Sequence, residues 1–237
     1  THGLGGDSRV RNDERAAGAV LLIGPRKVIP LCQLALDEPQ LLRRMLDEQL
    51  TAFMPSELDG IVLVAEHHDR KLAAAEGVER EVLAAMGGRV AVASYVLKTL
   101  QQQRVLDRMV QRGVLQLAAF TPTDAAHVLG LQSTYDTEVA GKAAELFAKR
   151  RDRQGKYIAP DGAAVAQLTI DTLVRRSAEV VLAAAFEHDG LPGDLVTSPA
   201  IQSALDRRGR AATVEVRLGA PLVGLGASAP TYYPMIA

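Results

Sequence analysis

Three short apolar runs, none longer than a strand, set the fold class of this chain. Residues 60–66 read GIVLVAE, residues 89–94 RVAVAS and residues 114–120 VLQLAAF. Each is rich in branched or small apolar side chains and too short for a helix. Asp59-Gly60 and His67-His68-Asp69 punctuate the first on either side. Runs of this kind predict buried strands. Amphipathic helical patterns separate them. Residues 40–52 carry Leu42, Met45 and Leu46 at i, i+3 and i+4. Residues 136–151 carry Val139, Ala143, Leu146 and Phe147 at i, i+4, i+7 and i+8, ahead of Lys149, Arg150 and Arg151, which suit the negative end of a helix dipole. The longest pattern, residues 161–187, begins after Pro160 and stops before His188-Asp189-Gly190, and its almost wholly apolar second half predicts burial between layers or against another domain. Residues 212–217 (ATVEVR) and 220–225 (APLVGL) read as two further strands around a turn at Gly219. The expectation is an α/β fold.

Composition narrows the partners. The chain has 237 residues, 27 Lys and Arg against 28 Asp and Glu, and a net charge of -1, so no overall field draws it to nucleic acid or to an anionic membrane. No apolar stretch approaches the roughly 20 residues that span a bilayer, and the start lacks the pattern of a signal peptide. Cys32 is the only cysteine, which rules out an internal disulfide and makes the reducing cytoplasm the default compartment. The sequence opens directly into a glycine turn without Met and stops just after a strand-turn pattern, so a piece of a longer chain is expected.

Four segments offer chemistry. GLGASAP (residues 224–230) follows an apolar run, and glycines separated by one residue let a ligand approach backbone N–H groups; on spacing alone a plain strand-to-helix turn that needs no ligand is the better account. Tyr232 and Tyr233 beyond it suit packing or a base. In GLGGDS (residues 3–8), the Asp7 carboxylate can hold a hydrated Mg²⁺ while glycine N–H groups favour a phosphate, and a capped tight turn is the alternative. In TPTDAAHVLGL (residues 121–131), Thr121 or Thr123 can cap a helix, Pro122 suits its first turn and Asp124 favours its dipole; only His127 is left over, and packing accounts for it. His67, His68 and Asp69 end a predicted strand, where neighbouring side chains point to opposite faces and do not share a metal unless the loop turns. No Gly-x-Ser-x-Gly elbow, P-loop or dinucleotide fingerprint is present.

Taken in order, THGLGGDSRVR, LLIGPRKVIPL, FTPTDAAHVLGL and APLVGLGASAPTYYP resemble the hydantoinase/oxoprolinase family across essentially the whole chain, specifically the C-terminal part of its ATP-dependent subunit. Residues 23–31 (IGPRKVIPL) are the most family-specific. The resemblance implies an actin-like, sugar-kinase-like ATPase. This chain would supply a ribonuclease-H-like lobe with a helix-rich insertion over about residues 30–190 and an adenosine-side strand and turn over about residues 212–233, all within one partial domain, 1–237. The N-terminal lobe and its glycine- and threonine-rich phosphate loop would precede it. On this resemblance Asp7 assists the phosphate or the Mg²⁺, Gly5, Gly6 and Ser8 line the phosphate side, and Gly224, Gly226 and Ala227 form the turn near adenosine.

The implied reaction is ATP-dependent opening of a cyclic amide, such as hydantoin or 5-oxoproline, activated by phosphorylation of the amide oxygen. The isolated chain is then expected to be inactive. The alternatives are a subunit of an ATP-dependent ketone carboxylase and a non-catalytic interaction domain of the same fold. A second subunit or domain of the same family, in a homo- or hetero-oligomer, is the expected partner.

Overall fold

The computed structural model describes residues 4–206, 212–224 and 229–235. Its centre is a four-stranded mixed sheet in the order β3 (Ile29–Pro30), β6 (Gln116–Ala119), β4 (Val62–Val64), β5 (Val90–Val92). β3 runs parallel to β6, while β4 is antiparallel to both of its neighbours, with Leu63 opposite Leu117 on one side and Ala91 on the other. The three apolar runs thus become β4, β5 and β6. All three side chains of β4 are buried because both faces of the sheet are covered, which is why the runs show no polar alternation.

Side chains alternate strictly between two cores. Val62, Val64, Val92 and Ala118 face one, Leu63, Ala91, Leu117 and Ala119 the other. The second face is closed by α4 (Gly77–Met86) and α6 (Leu100–Gln111), through Val82, Leu83, Leu106 and Met109. The first is closed by α1 (Leu31–Leu34), α2 (Pro39–Leu50), α7 (Pro122–Val128), α8 (Thr137–Ala148) and the first half of α9 (Gly162–His188). Short helices α3 (His68–Ala74) and α5 (Ala93–Val96) link these layers. The result is a helix–sheet–helix sandwich, the α/β class expected.

Helix boundaries follow local chemistry. α2 keeps Leu42, Met45 and Leu46 buried on one face. α8 starts where the Asp136 carboxylate accepts from Val139 N at 3.0 Å and stops at Ala148, short of the basic residues assigned to its last turn. Asp161 caps α9 in the same way through Ala164 N at 2.7 Å. At the start of α9, a Cβ on Gly162 would lie 2.9 Å from the backbone nitrogen of Glu145, so the close approach of α8 and α9 there requires glycine.

Two expectations are not met among the described residues, for α9 only the alternative of burial between layers of this chain. Only Leu182 of the apolar second half of α9 is buried, because this half runs past the sheet and is covered on one side by residues 193–197 and by α10 (Pro199–Leu205), which Arg175 ties down through Gln202 (2.6 Å). The strands expected at residues 212–217 and 220–225 are not formed over the described part, residues 212–224. Val214 and Val223 are exposed there and no neighbouring strand lies beside them; a lone strand has no ladder to satisfy its backbone.

Candidate functional site

The site builds from an antiparallel ribbon, β1 (Ser8–Asn12) paired with β2 (Leu21–Lys27), which leans on the end of the sheet. Val10 N donates to Phe120 O (3.2 Å), just beyond β6, and Val28 N donates to Asp7 O (2.9 Å). The IGPRKVIPL segment, residues 23–31, therefore carries the chain from the ribbon through β3 into α1. These links bring residues 5–8 over the first turn of α7.

That turn is closed by its own sequence. Thr121 is the extended N-cap, its Oγ accepting from Asp124 N at 3.3 Å, and Asp124 Oδ2 accepts from Thr121 N (2.9 Å) and Thr121 Oγ (2.7 Å). Asp124 Oδ1 reaches 92 residues back to accept from Cys32 N at 2.8 Å, in the first turn of α1. One fully buried carboxylate thus fastens the starts of two helices. Burial pushes its pKa up, against the pull of the bonds from Cys32 and Thr121. The Cys32 thiol is also pushed up, first by burial and then by Asp124, so it is a packed thiol rather than a nucleophile.

The GLGGDS segment docks on the same turn. Gly6 O accepts from both Thr123 N and Thr123 Oγ at 2.9 Å, and Ser8 is buried beneath. The leading N–H groups of α7 are therefore taken by Gly6 and Thr121. Among the described residues, the N–H groups of Gly6 and Asp7 donate to no acceptor. Asp7 Oδ2 receives Lys27 Nζ at 3.0 Å in an ion pair whose side chains are 42% and 67% exposed, so water screens it. Asp7 Oδ1 is not part of that pair, and a Cβ built on Gly5 would come to 3.4 Å from it, an ordinary contact distance.

The other end of the chain reaches α7 as well. In α11 (Ala229–Tyr232), Tyr232 is buried and its hydroxyl donates to Pro122 O at 3.1 Å, while Thr231 Oγ accepts from Gln132 Nε2 at 2.8 Å. Burial raises the Tyr232 pKa above its ordinary value. Gly224 is exposed and irregular; Gly226 and Ala227 lie outside the described residues. The segment at residues 5–8 thus anchors on α7 through Gly6, and residues 229–232 anchor on the same helix through Tyr232.

The histidines serve the fold. His127 Nδ1 lies 2.8 Å from Thr123 O, and its Nε2 accepts from Tyr135 N at 3.0 Å. A backbone N–H can only donate, so Nε2 is the acceptor and Nδ1 carries the proton; the ring also stacks on Tyr135 with centroids 5.3 Å apart. Both nitrogens are used in positioning the loop before α8. The chain turns at His67, which takes a left-handed conformation (φ 56°) and stays exposed, while the buried His68 donates from Nε2 to Leu83 O at 2.8 Å. Among the described residues, no group of three His, Cys, Asp or Glu side chains could hold a metal ion.

Two features had no signal in the sequence: the bond from Asp124 to Cys32, and a cleft that brings Arg9 beside Arg150. Comparison with protein-family models, with curated proteins and with solved structures finds no match for this chain. No helix among the described residues is long and apolar enough to cross a membrane.

Proposed function

We propose that this chain forms the phosphate-facing part of an ATP-dependent enzyme that opens cyclic amides such as hydantoin or 5-oxoproline, in an actin-like, ribonuclease-H-like lobe. The observation that carries the reading is the state of the GLGGDS turn: it is held rigidly on α7 through Gly6 O, yet the N–H groups of Gly6 and Asp7 are left undonated. Consecutive backbone N–H groups on a fixed turn suit a phosphate. The ordered resemblance of four segments supplies the reaction class.

The residues can be given roles on that basis. Gly6 and Asp7 N–H groups donate to phosphate oxygens, and Gly5 and Ser8 flank them on the phosphate side. Mg²⁺ keeps much of its water and needs only one or two carboxylates beside the phosphates, so the half-exposed Asp7 carboxylate, with Oδ1 outside the pair with Lys27, would suit such an ion without a built cage. When bound, the ion neutralises charge developing on the transferred phosphoryl group. Asp7 orients its water shell, and Lys27 holds the carboxylate in place through Oδ2. The Gly224, Gly226, Ala227 turn is assigned to the adenosine side. An amide is a poor electrophile; moving the γ-phosphoryl group of ATP onto its oxygen releases ADP and leaves a carbon that water attacks. The resulting tetrahedral adduct breaks its C–N bond as the ring nitrogen takes up a proton, and a second water hydrolyses the acyl phosphate so formed to carboxylate and inorganic phosphate. An ATP-dependent ketone carboxylase would use the same activation of oxygen.

Calorimetric titration of the full-length protein with ATP and Mg²⁺ tests the reading. Binding that weakens at least tenfold in Asp7→Asn is expected. Turnover assays then separate the reactions, hydantoin or 5-oxoproline with ATP against ketone with bicarbonate. A second reading, a non-catalytic interaction domain, draws on the Asp7–Lys27 pair, which gives Asp7 a partner without a metal. Absence of ATP binding in the full-length protein would favour it.

A further inference from the structure

The cleft that the sequence gives no hint of lies between β1 and the end of α8. Arg9 of β1 and Arg150, just past α8, line it together, with Phe120, Leu146 and Phe147 as apolar walls. The two guanidinium groups have little to hold. Arg9 makes no side-chain hydrogen bond or ion pair among the described residues. Arg150 uses Nη2 on Asp59 O at 3.0 Å and lays its face over the Phe147 ring, 5.1 Å from the centroid.

The acids around the cleft do not discharge it. Asp107 acts on Arg9 from a distance but is itself paired with Arg26 at 2.8 Å. Asp59 acts on Arg150, together with Glu14 and Glu57, yet the Asp59 carboxylate accepts from Ser56 N at 2.8 Å and forms no ion pair with either arginine. Burial, followed by Arg150, Arg11 and Arg26, pushes the Arg9 guanidinium down to about 10, so it remains charged at neutral pH at a cost to the fold. Burial likewise lowers Arg150. Two partly dehydrated cations that line one cleft and repel each other, Arg9 without a side-chain partner among the described residues and Arg150 with one bond to Asp59 O, are the arrangement that a planar or tetrahedral oxyanion relieves, by bidentate bonds to a guanidinium fork.

We propose that this cleft binds a compact oxyanion, a carboxylate or a phosphate group, between the guanidinium groups of Arg9 and Arg150. The cavity is about 20 Å³, room for one small group, so only the head of the ligand enters. Phe120, Leu146 and Phe147 exclude water around it and strengthen each charged bond. The site does not depend on the nucleotide reading, since Arg9 and Arg150 were given no part in it.

Thermal unfolding of the full chain at ionic strength held constant with sodium chloride tests the proposal, with inorganic phosphate in one arm and propionate in the other. A saturable rise in Tm with at least one anion is expected, since a ligand that binds only the folded state stabilises it by mass action. A rise with phosphate alone assigns the site to phosphate groups, and one with propionate alone to small acids. In Arg9→Gln the saturable rise should vanish while the Tm without anion stays level or increases, because Arg9 contributes repulsion and no bond. Arg9→Lys, which keeps the charge but loses the fork, should retain a weaker rise. No saturable shift with either anion, an undiminished shift in Arg9→Gln, or a marked fall in the anion-free Tm of Arg9→Gln would overturn it.

Discussion

Asp124, in the first turn of α7, and Asp7, docked on that turn from the start of the chain, meet opposite environments. Asp124 is fully buried and accepts from Cys32 N, Thr121 N and Thr121 Oγ, so each oxygen is committed to a donor of the fold. Asp7 is 42% exposed, with one oxygen on Lys27 and the other outside that pair. The difference teaches which carboxylate can take a ligand. A buried group whose bonds are all internal is structural glue, since removing it strands its donors in a dry interior. A half-exposed group on a fixed turn contributes little to stability and can change partners.

Substitution separates the two. Asp124→Ala should cost about 3–5 kcal/mol, read as a fall in the denaturant midpoint at unchanged slope, because it leaves Cys32 N and Thr121 N without acceptors. A loss under about 1 kcal/mol would break the contrast between the two aspartates.

The pH response sharpens it. The folded-state pKa of Asp124 is raised, so in the window between the ordinary carboxylate value and the folded value the native state holds more protons than the unfolded state. The Asp124 contribution to stability therefore falls as pH rises through that window and recovers on acidification. Asp124→Asn should lack this component, which unfolding midpoints of both proteins across mildly acidic pH would show.

Smaller effects follow for the second anchor of α7. Tyr232→Phe removes the hydroxyl that reaches Pro122 O and should cost about 1 kcal/mol in the same unfolding measurement. No change would detach the C-terminal segment from the α7 site. Asp7→Asn should shift stability least, by under about 1 kcal/mol, because its ion pair is exposed, while abolishing any Mg²⁺-dependent gain in ATP affinity. If it destabilises the fold as much as Asp124→Ala, Asp7 is a structural residue as well.

Much of the frame was legible in the chain. The runs at residues 60–66, 89–94 and 114–120 became β4, β5 and β6, and the patterns at residues 40–52, 136–151 and 161–187 became α2, α8 and α9, because burial on both faces of a sheet or on one face of a helix leaves its period in the sequence. Thr121, one of two cap candidates beside Thr123, marks the start of α7 through a short-range bond. The alternation at residues 212–217 misled, since a strand period has meaning only beside another strand. The apolar run at the end of α9 does not lie between layers of this chain, because composition does not tell how far a helix outruns its sheet.

By itself the sequence determined the α/β class, the main helices and strands, the capped start of α7 and the unusual glycine content of residues 3–8. These depend on spacing and on bonds between near neighbours, which a linear chain records. Only the tertiary structure decided that Asp124 holds Cys32 N, that residues 5–8 and Tyr232 share α7, and that Arg9 and Arg150 line one cleft. Each of these joins residues 90 or more positions apart, brought together by packing both cores at once, and no local pattern encodes that distance.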